Sequence, residues 1–298
     1  MRILAVVVTH NRSSLLDRCL TYINNQILKP TKILVINNGS TDNTSEIIRK
    51  HDALEFFQEN IGSAGGWYAG IDFCMKNDFD ACWLMDDDGY PDKGALKILS
   101  EQINESDACV SSCVLKESKS SEFVFPLPRL NSRDYPVLFS LKRKYYRVQD
   151  IKKMGYSDYN FVHLFNGALI PSSSIKLIGN ITKEYFIMGD EVDYFFRLKS
   201  VGNVRTILGA KHYHPDVSKR KYTEIKIYYL LKNTIINHIK YFDLTFLRNI
   251  SLFLVLFIRI IKRNGIVFLL RLLLSKPQII SKAISRGFNM KLGSDMKL

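Results

Sequence analysis

Three consecutive carboxylates, Asp86-Asp87-Asp88, follow directly on the apolar run Ala81-Cys82-Trp83-Leu84-Met85 and precede Gly89 and Pro91. A short apolar run of this kind marks a strand buried on both faces. Adjacent aspartates repel one another, so their place at a strand end costs stability unless a cation neutralises them. Asp86 and Asp88 stand two apart and point the same way on an extended chain. The pair suits a hard cation, Mg²⁺ or Mn²⁺, shared with the phosphates of a ligand. A solvated acidic turn built on Gly89 and Pro91 is the alternative. A second acidic cluster, Asp190-Glu191-Val192-Asp193, opens a helical pattern that runs to Arg197. Helix N-termini favour negative charge, and Asp193 and Arg197 have the i, i+4 spacing of a surface pair. His212 and His214 alternate on a strand and share one face, as metal ligands or as structural residues.

These groups need a scaffold, and the chain alternates strand and helix patterns ahead of them. Ile3–Val8 reads as a buried strand, followed by the polar loop Thr9-His10-Asn11-Arg12 and a helix over Leu15–Ile27 capped by Ser13 or Ser14. Ile33–Ile36 is a second strand ending in Asn37-Asn38-Gly39-Ser40-Thr41-Asp42, and Thr44–Lys50 a short helix. Leu54–Gln58 is a third strand. Asn60–Gly66 reads as a glycine-rich loop and Trp67–Asn77 as a helix, with the acidic strand next. Lys93–Gln102 is helical, Ala108–Leu115 is a strand, and residues 116–160 read as an irregular excursion. Phe165–Ile170 returns to strand. Such alternation predicts right-handed βαβ units and a mostly parallel sheet. Ligands bind such sheets at the carboxyl ends of the strands. Three polar loops and the Asp cluster all fall at such ends.

Residues of 46% hydrophobic and 24% charged type exclude a disordered chain, and 298 residues suffice for one large domain with an appendage. Five cysteines without CxxC spacing read as reduced core residues of a cytosolic protein. The net charge of +13 resides entirely in residues 219–298, the remainder being neutral. That asymmetry predicts a segment meeting an anionic surface.

The order and spacing of Val7–Arg12, Val35–Asp42, Asn60–Gly66, Trp83–Pro91 and Gly189–Arg197 resemble the family 2 inverting glycosyltransferases. They look most like the bacterial rhamnosyl- and galactofuranosyl-transferases of polysaccharide synthesis. The resemblance covers roughly residues 3–235. It implies a GT-A fold: a Rossmann-like, mostly parallel α/β sheet flanked by helices, with a helical basic and apolar C-terminal appendage. It implies a catalytic domain over 1–220, its nucleotide-sugar half about 1–115 and its acceptor half about 116–220, and a membrane-associating region over 221–298.

The resemblance also implies roles. Thr9, Asn11, Arg12, Asn37, Asn38, Asn60, Gly65, Gly66, Asp86 and Asp87 would bind the donor. Asn37 stands where the family usually carries an aspartate. Asp86, Asp88 and His214 would hold Mn²⁺ or Mg²⁺, with His212 as the alternative ligand. Glu191 would be the general base by position, with Asp190 its competitor. Trp67, Asp193 and His212 would face the acceptor. The implied reaction is inverting transfer from UDP-galactofuranose, a UDP-hexose or dTDP-rhamnose to a hydroxyl of a lipid-linked or cell-surface glycan. The alternatives are a non-catalytic membrane-associated glycan- or nucleotide-binding protein of the same fold and a nucleotidyltransferase.

Tyr222–Phe242 reads as a helix. Between Leu244 and Ser294 nine residues are Lys or Arg and none is acidic. Leu252–Ile261 and Ile266–Leu274 read as apolar helices lying on an anionic membrane, each too short to span one. This predicts a protein peripheral at the inner, cytoplasmic face of the membrane, where a lipid-linked acceptor would be met. The aliphatic content argues against a nucleic-acid partner. A homo-oligomer is compatible with the sequence.

Overall fold

Seven consecutive apolar-to-small residues, Ile3–Thr9, form strand β1 with every residue buried. A computed structural model describes residues 1–138 and 140–296. In chain order β1 is followed by α1 (Ser13–Asn24), β2 (Lys32–Asn38), α2 (Thr44–Lys50), β3 (Leu54–Gln58), α3 (Gly62–Lys76) and β4 (Ala81–Asp86). Then come β5 (Tyr90–Pro91), α4 (Ala95–Gln102), β6 (Asp107–Lys116), β7 (Lys119–Pro128), β8 (Lys144–Arg147), α5 (Val148–Lys152) and β9 (Asp158–Tyr159). Strand β10 (Asn166–Pro171), α6 (Ser172–Ile178), a 3₁₀ turn at Lys183–Tyr185, α7 (Asp190–Lys199) and β11 (Asn203–His214) complete the sheet region. Four helices close the chain: α8 (Glu224–Tyr241), α9 (Thr245–Asn264), α10 (Ile266–Leu274) and α11 (Pro277–Phe288).

The sheet runs β3-β2-β1-β4-β10-β6-β11-β5, with β7 added beside β6 and β9 beside β11. Strands β1 to β4 are parallel, β10 is antiparallel to both β4 and β6, and β6 and β11 are parallel. This is the expected α/β fold with a mostly parallel sheet. Register aligns the strand ends: Thr9 pairs with Asn37 and Val8 with Asp86. The carboxyl end of β11 pairs His214 with Lys116 of β6. The chemistry-bearing residues of the sheet therefore share one edge.

Alternation along β1 divides the core. Ile3, Ala5 and Val7 join Leu16, Cys19, Leu20 and Ile23 of α1 and Leu96 and Leu99 of α4. The opposite face carries Val6 and Val8 against α3. There a Cβ on Gly70 would stand 2.4 Å from Val6, and one on Gly66 2.6 Å from Val8. The two glycines, one helical turn apart, let α3 seat closely on β1.

Two expectations change. The glycine-rich stretch is not a loop to Gly66, because α3 already begins at Gly62. Close packing, not turn formation, explains most of its glycines. The excursion is also more ordered than its composition suggests. Strand β7 pairs with β6 and with β8. Its Phe123 and Leu127 are buried at alternate-strand spacing, a signal that the preceding serines obscure.

The chain divides into two compact units, residues 1–181 with 194–216, and 182–193 with 217–298. The second has its own core of Phe186, Tyr228, Tyr229, Leu231, Ile235, Leu256, Ile260, Leu272 and Ala283, among others. Lys232 is wholly buried there, its ammonium donating to Gly293 O at 2.9 Å and Asp295 Oδ1 at 3.0 Å. Phe246, Ile250, Leu254, Ile258 and Ile261 form an exposed row on α9. Ile266, Val267, Leu270, Leu273 and Leu274 do the same on α10. No helix among the described residues is long and apolar enough to cross a membrane.

Candidate functional site

The three aspartates at the end of β4 receive different environments. Asp86 is half-buried and its amide donates to Phe165 O at 2.8 Å. Asp87 is 2% exposed and turns inward, where Thr9 Oγ1 donates to it at 2.7 Å and Arg12 Nη1 at 2.9 Å. Burial pushes the Asp87 carboxyl up from its ordinary pKa, and the Arg12 guanidinium opposes that rise. Arg12 also lies 3.5 Å from Asp88 Oδ2. Thr9 and Arg12 thus hold the turn together.

Asp88 and His214 meet across the sheet edge, with Nε2 2.9 Å from Oδ1 and both side chains buried. His214 Nδ1 lies 2.7 Å from Pro215 O, a group that only accepts. Nδ1 must therefore carry the proton in that bond. Nε2 then faces a carboxylate oxygen, and two acceptors at this distance need a cation between them: a proton or a metal ion. The oxygen and imidazole donor set fits Mn²⁺ or Mg²⁺ completed by ligand phosphates. Among the described residues no three His, Cys, Asp or Glu side chains converge as a complete metal cage. Asp88 and His214 are the part of the expected set that the structure brings together.

The loops beside this turn are tied to each other. Asn11 Oδ1 accepts from the Thr41 amide at 2.7 Å, and the Asn11 amide donates to Ser40 Oγ. Asn11 adopts φ 53°, a left-handed conformation that asparagine tolerates better than most residues. Asn38 is buried and donates to Asn60 Oδ1 and Gly62 O, both at 3.1 Å, so it stitches β2 to the start of α3. Asn37 donates to Glu55 Oε1 at 2.7 Å and accepts from the Ser40 amide. Glu55 of β3 thus places a carboxylate beside position 37. Gly65 and Gly66 are buried in α3, and Gly66 serves packing.

The second acidic cluster lies in the second unit. Asp190 is 3% exposed and its Oδ2 has no partner. Burial first, then the neighbouring Glu191 charge, pushes its carboxyl up to about 7. Glu191 beside it is half-buried. Unfolded aspartate titrates near 4, so between about pH 4 and 7 the folded chain binds the extra proton and loses stability as pH rises. Replacing Asp190 by Asn removes that loss. In thermal melts Asp190→Asn should gain little near pH 4, gain progressively up to pH 7, and hold a plateau of ~4 kcal/mol above it. A pH-independent difference refutes the buried-acid assignment.

Three residues expected at an acceptor surface are interior instead. Trp67 is wholly buried and stacks on Phe165 with ring centroids 4.3 Å apart. His212 is wholly buried between two glycines; a Cβ on Gly89 would stand 2.2 Å from its Nε2 and one on Gly167 3.3 Å from its Nδ1. Burial holds its pKa down to about 3, so the ring is neutral. Asp193 accepts from Lys240 Nζ at 2.8 Å and Tyr241 Oη at 2.7 Å. Their burial leaves no surface for an acceptor to touch.

Sequence reasoning missed Arg18 and Glu117. Arg18 Nη2 donates to Asp88 O at 2.8 Å and pairs with Glu117 at 2.9 Å. A cation on the polar face of α1 was the available signal for Arg18; nothing local marked Glu117.

Residues 4–165 match the family described as Glycosyl transferase family 2. The chain is 30% identical over 217 residues to galactofuranosyltransferase GlfT1 of Mycolicibacterium smegmatis, covering 71% of this chain and 70% of that protein. GlfT1 of Mycobacterium tuberculosis is 28% identical over 221 residues, 72% of this chain and 70% of that one. Among solved structures, S. aureus TarS 1-349 superposes with TM-score 0.59 at 13% identity, covering 96% of this chain and 80% of that one. The mannosyltransferase PcManGT from Pyrobaculum calidifontis, in complex with GDP-Man and Mn2+, gives TM-score 0.55 at 13% identity, covering 97% and 81%. A carboxylate-rich edge of a GT-A-like sheet and a family match over more than half its length lead to one conclusion: this chain is a member of glycosyltransferase family 2.

Proposed function

We propose that the chain transfers a galactofuranosyl residue, with inversion, from UDP-galactofuranose to a hydroxyl of a lipid-linked glycan. The similarity to GlfT1 supports this donor over a UDP-hexose or dTDP-rhamnose. The observation that carries the reading is the Asp88–His214 pair at the sheet edge. Held there, Mn²⁺ or Mg²⁺ would offset the negative charge that grows on the departing diphosphate. Asp86 would complete the protein's share of that site. Asn37 with Glu55, Asn11, Asn38 and Asn60 shape the loops that would receive the nucleoside. Thr9, Arg12 and Asp87 keep the turn in place.

Glu191 is the general base in this reading. A sugar hydroxyl is a poor nucleophile, so a carboxylate must take its proton as it attacks the anomeric carbon. Glu191 is partly exposed, where an acceptor hydroxyl can reach it, whereas Asp190 is buried. The experiment is donor-binding calorimetry with UDP-galactofuranose, UDP-galactose, UDP-glucose and dTDP-rhamnose, each with and without Mn²⁺. Metal-dependent binding of UDP-galactofuranose alone supports the reading. Preference for another sugar nucleotide replaces the donor, and no binding of any removes catalysis.

The exposed rows on α9 and α10, in a stretch with nine cations and no acidic residue, suit an anionic membrane surface. This supports a peripheral protein at the leaflet that carries the acceptor. In flotation with anionic vesicles the protein should rise with the lipid, and salt should weaken but not abolish the attachment. Failure to float without salt removes the membrane role.

A further inference from the structure

The turn that leads into the second acidic cluster is bent in a way that side-chain-bearing residues resist. Phe186 has φ 67°, Met188 φ 62° and Gly189 φ 91°, three left-handed residues in four positions. Such a backbone persists only where its surroundings over-determine it. Two asparagines of α8 do so. Asn233 Nδ2 lies 3.0 Å from Tyr185 O, 3.0 Å from Ile187 O and 2.7 Å from Met188 O. Asn237 Nδ2 donates to Gly189 O at 2.8 Å, and its Oδ1 accepts from Tyr185 Oη. Gly189 O also accepts from the Asp193 amide, which starts α7.

Four residues apart, Asn233 and Asn237 share a face of α8. Both are buried, at 0% and 2% exposure. Asparagine is a poor residue for a helix interior, and burying its amide is costly. Asn233 Oδ1 is left without a partner, so the side chain serves its donor end alone. A Cβ on Gly189 would stand 2.7 Å from Asn233 Cβ, so residue 189 must be glycine for the amides to come this close. Lys240 and Tyr241, both about one turn beyond Asn237 on α8, hold Asp193 from the same helix.

We propose that Asn233 and Asn237 are positioning residues that hold the Tyr185–Gly189 backbone so that Asp190 and Glu191 are presented for proton abstraction. This rests on the reading of that cluster as the general base. The C-terminal helical region is then part of the catalytic apparatus as well as an appendage. The asparagines touch no substrate and act through the backbone carbonyls.

The test uses the full chain with Asn233→Ala, Asn237→Ala, Glu191→Gln and the control Ile235→Ala, which loosens the same helix from its apolar side. Turnover of UDP-galactofuranose, donor affinity and amide exchange over residues 186–193 are measured for each. The asparagine variants should exchange at least about tenfold faster in that segment and lose about 10- to 100-fold in kcat, with donor affinity unchanged. Ile235→Ala should lower the melting temperature without the selective loss in kcat. Asn233→Ala combined with Glu191→Gln should lose little more than Glu191→Gln alone, because both act on one step. If Asn233→Ala does not fold, Asn237→Ala, which removes a single donor to this turn, decides. Full kcat in the asparagine variants, unchanged exchange, or the same kcat loss in Ile235→Ala overturns the positioning role. Full turnover in both Glu191→Gln and Asp190→Asn, or a wild-type chain inert toward every donor of the panel, instead overturns the base assignment, and the positioning role falls with it.

Discussion

Glu191→Gln should lower turnover by about 10²–10⁴-fold while nucleotide-sugar binding survives. The amide matches the carboxylate in size and keeps an acceptor oxygen, but it cannot take a proton. The loss therefore appears in kcat, since proton transfer occurs only in the transition state. Asp190→Asn, by contrast, should retain more activity, because Asp190 is buried away from any acceptor hydroxyl. The two variants, compared in a donor turnover assay at pH 7.5, decide between the adjacent acids. If Glu191→Gln turns over like wild type and Asp190→Asn is dead, the base is Asp190.

Asp88→Ala should abolish the metal-dependent part of donor binding, a loss of at least about 100-fold in metal affinity. It removes the oxygen that faces His214 Nε2 at 2.9 Å, and with it the reason for a cation at that place. Arg12 keeps its closer partner Asp87, so the turn itself should survive. Calorimetry of UDP with and without Mn²⁺ reads the result. Asp87→Ala is the informative contrast. Thr9 and Arg12 both point at Asp87, so its removal strands the buried Thr9 hydroxyl and leaves Arg12 only its longer contact to Asp88. Because Arg12 is 45% exposed, the cost should fall below the ~3–5 kcal/mol of breaking a wholly buried pair. Asp87→Ala should therefore melt lower yet retain metal dependence. Unchanged metal dependence in Asp88→Ala, or its loss only in Asp87→Ala, would move the cation away from Asp88 and His214.

The sheet strands and most helices of the first unit were legible in the chain itself. Apolar runs such as Ile3–Val8 and Ala81–Met85 specify strands buried on both faces, and polar loops at their ends specify where ligands go, because periodicity and turn chemistry are local properties. The order of five motifs identified the family for the same reason. The family resemblance also brought Asp88 and His214 under suspicion together, although 126 positions separate them.

What each polar residue touches was decided only by the tertiary structure. Asp86, Asp87 and Asp88 look equivalent in sequence, yet the turn that follows β4 directs Asp87 to Thr9 and Arg12 and Asp88 to His214. Gly65 and Gly66 read as part of a glycine-rich loop, but α3 starts at Gly62 and presses on Val8. Trp67, Asp193 and His212 carry side chains that recognise sugars in the open, but packing buries all three. The asparagines of α8 gave no local signal at all. Their meaning lies in four carbonyls brought to them from about fifty residues upstream by the fold. Local pattern encodes which elements form, whereas burial and partner choice depend on contacts between residues distant in the chain.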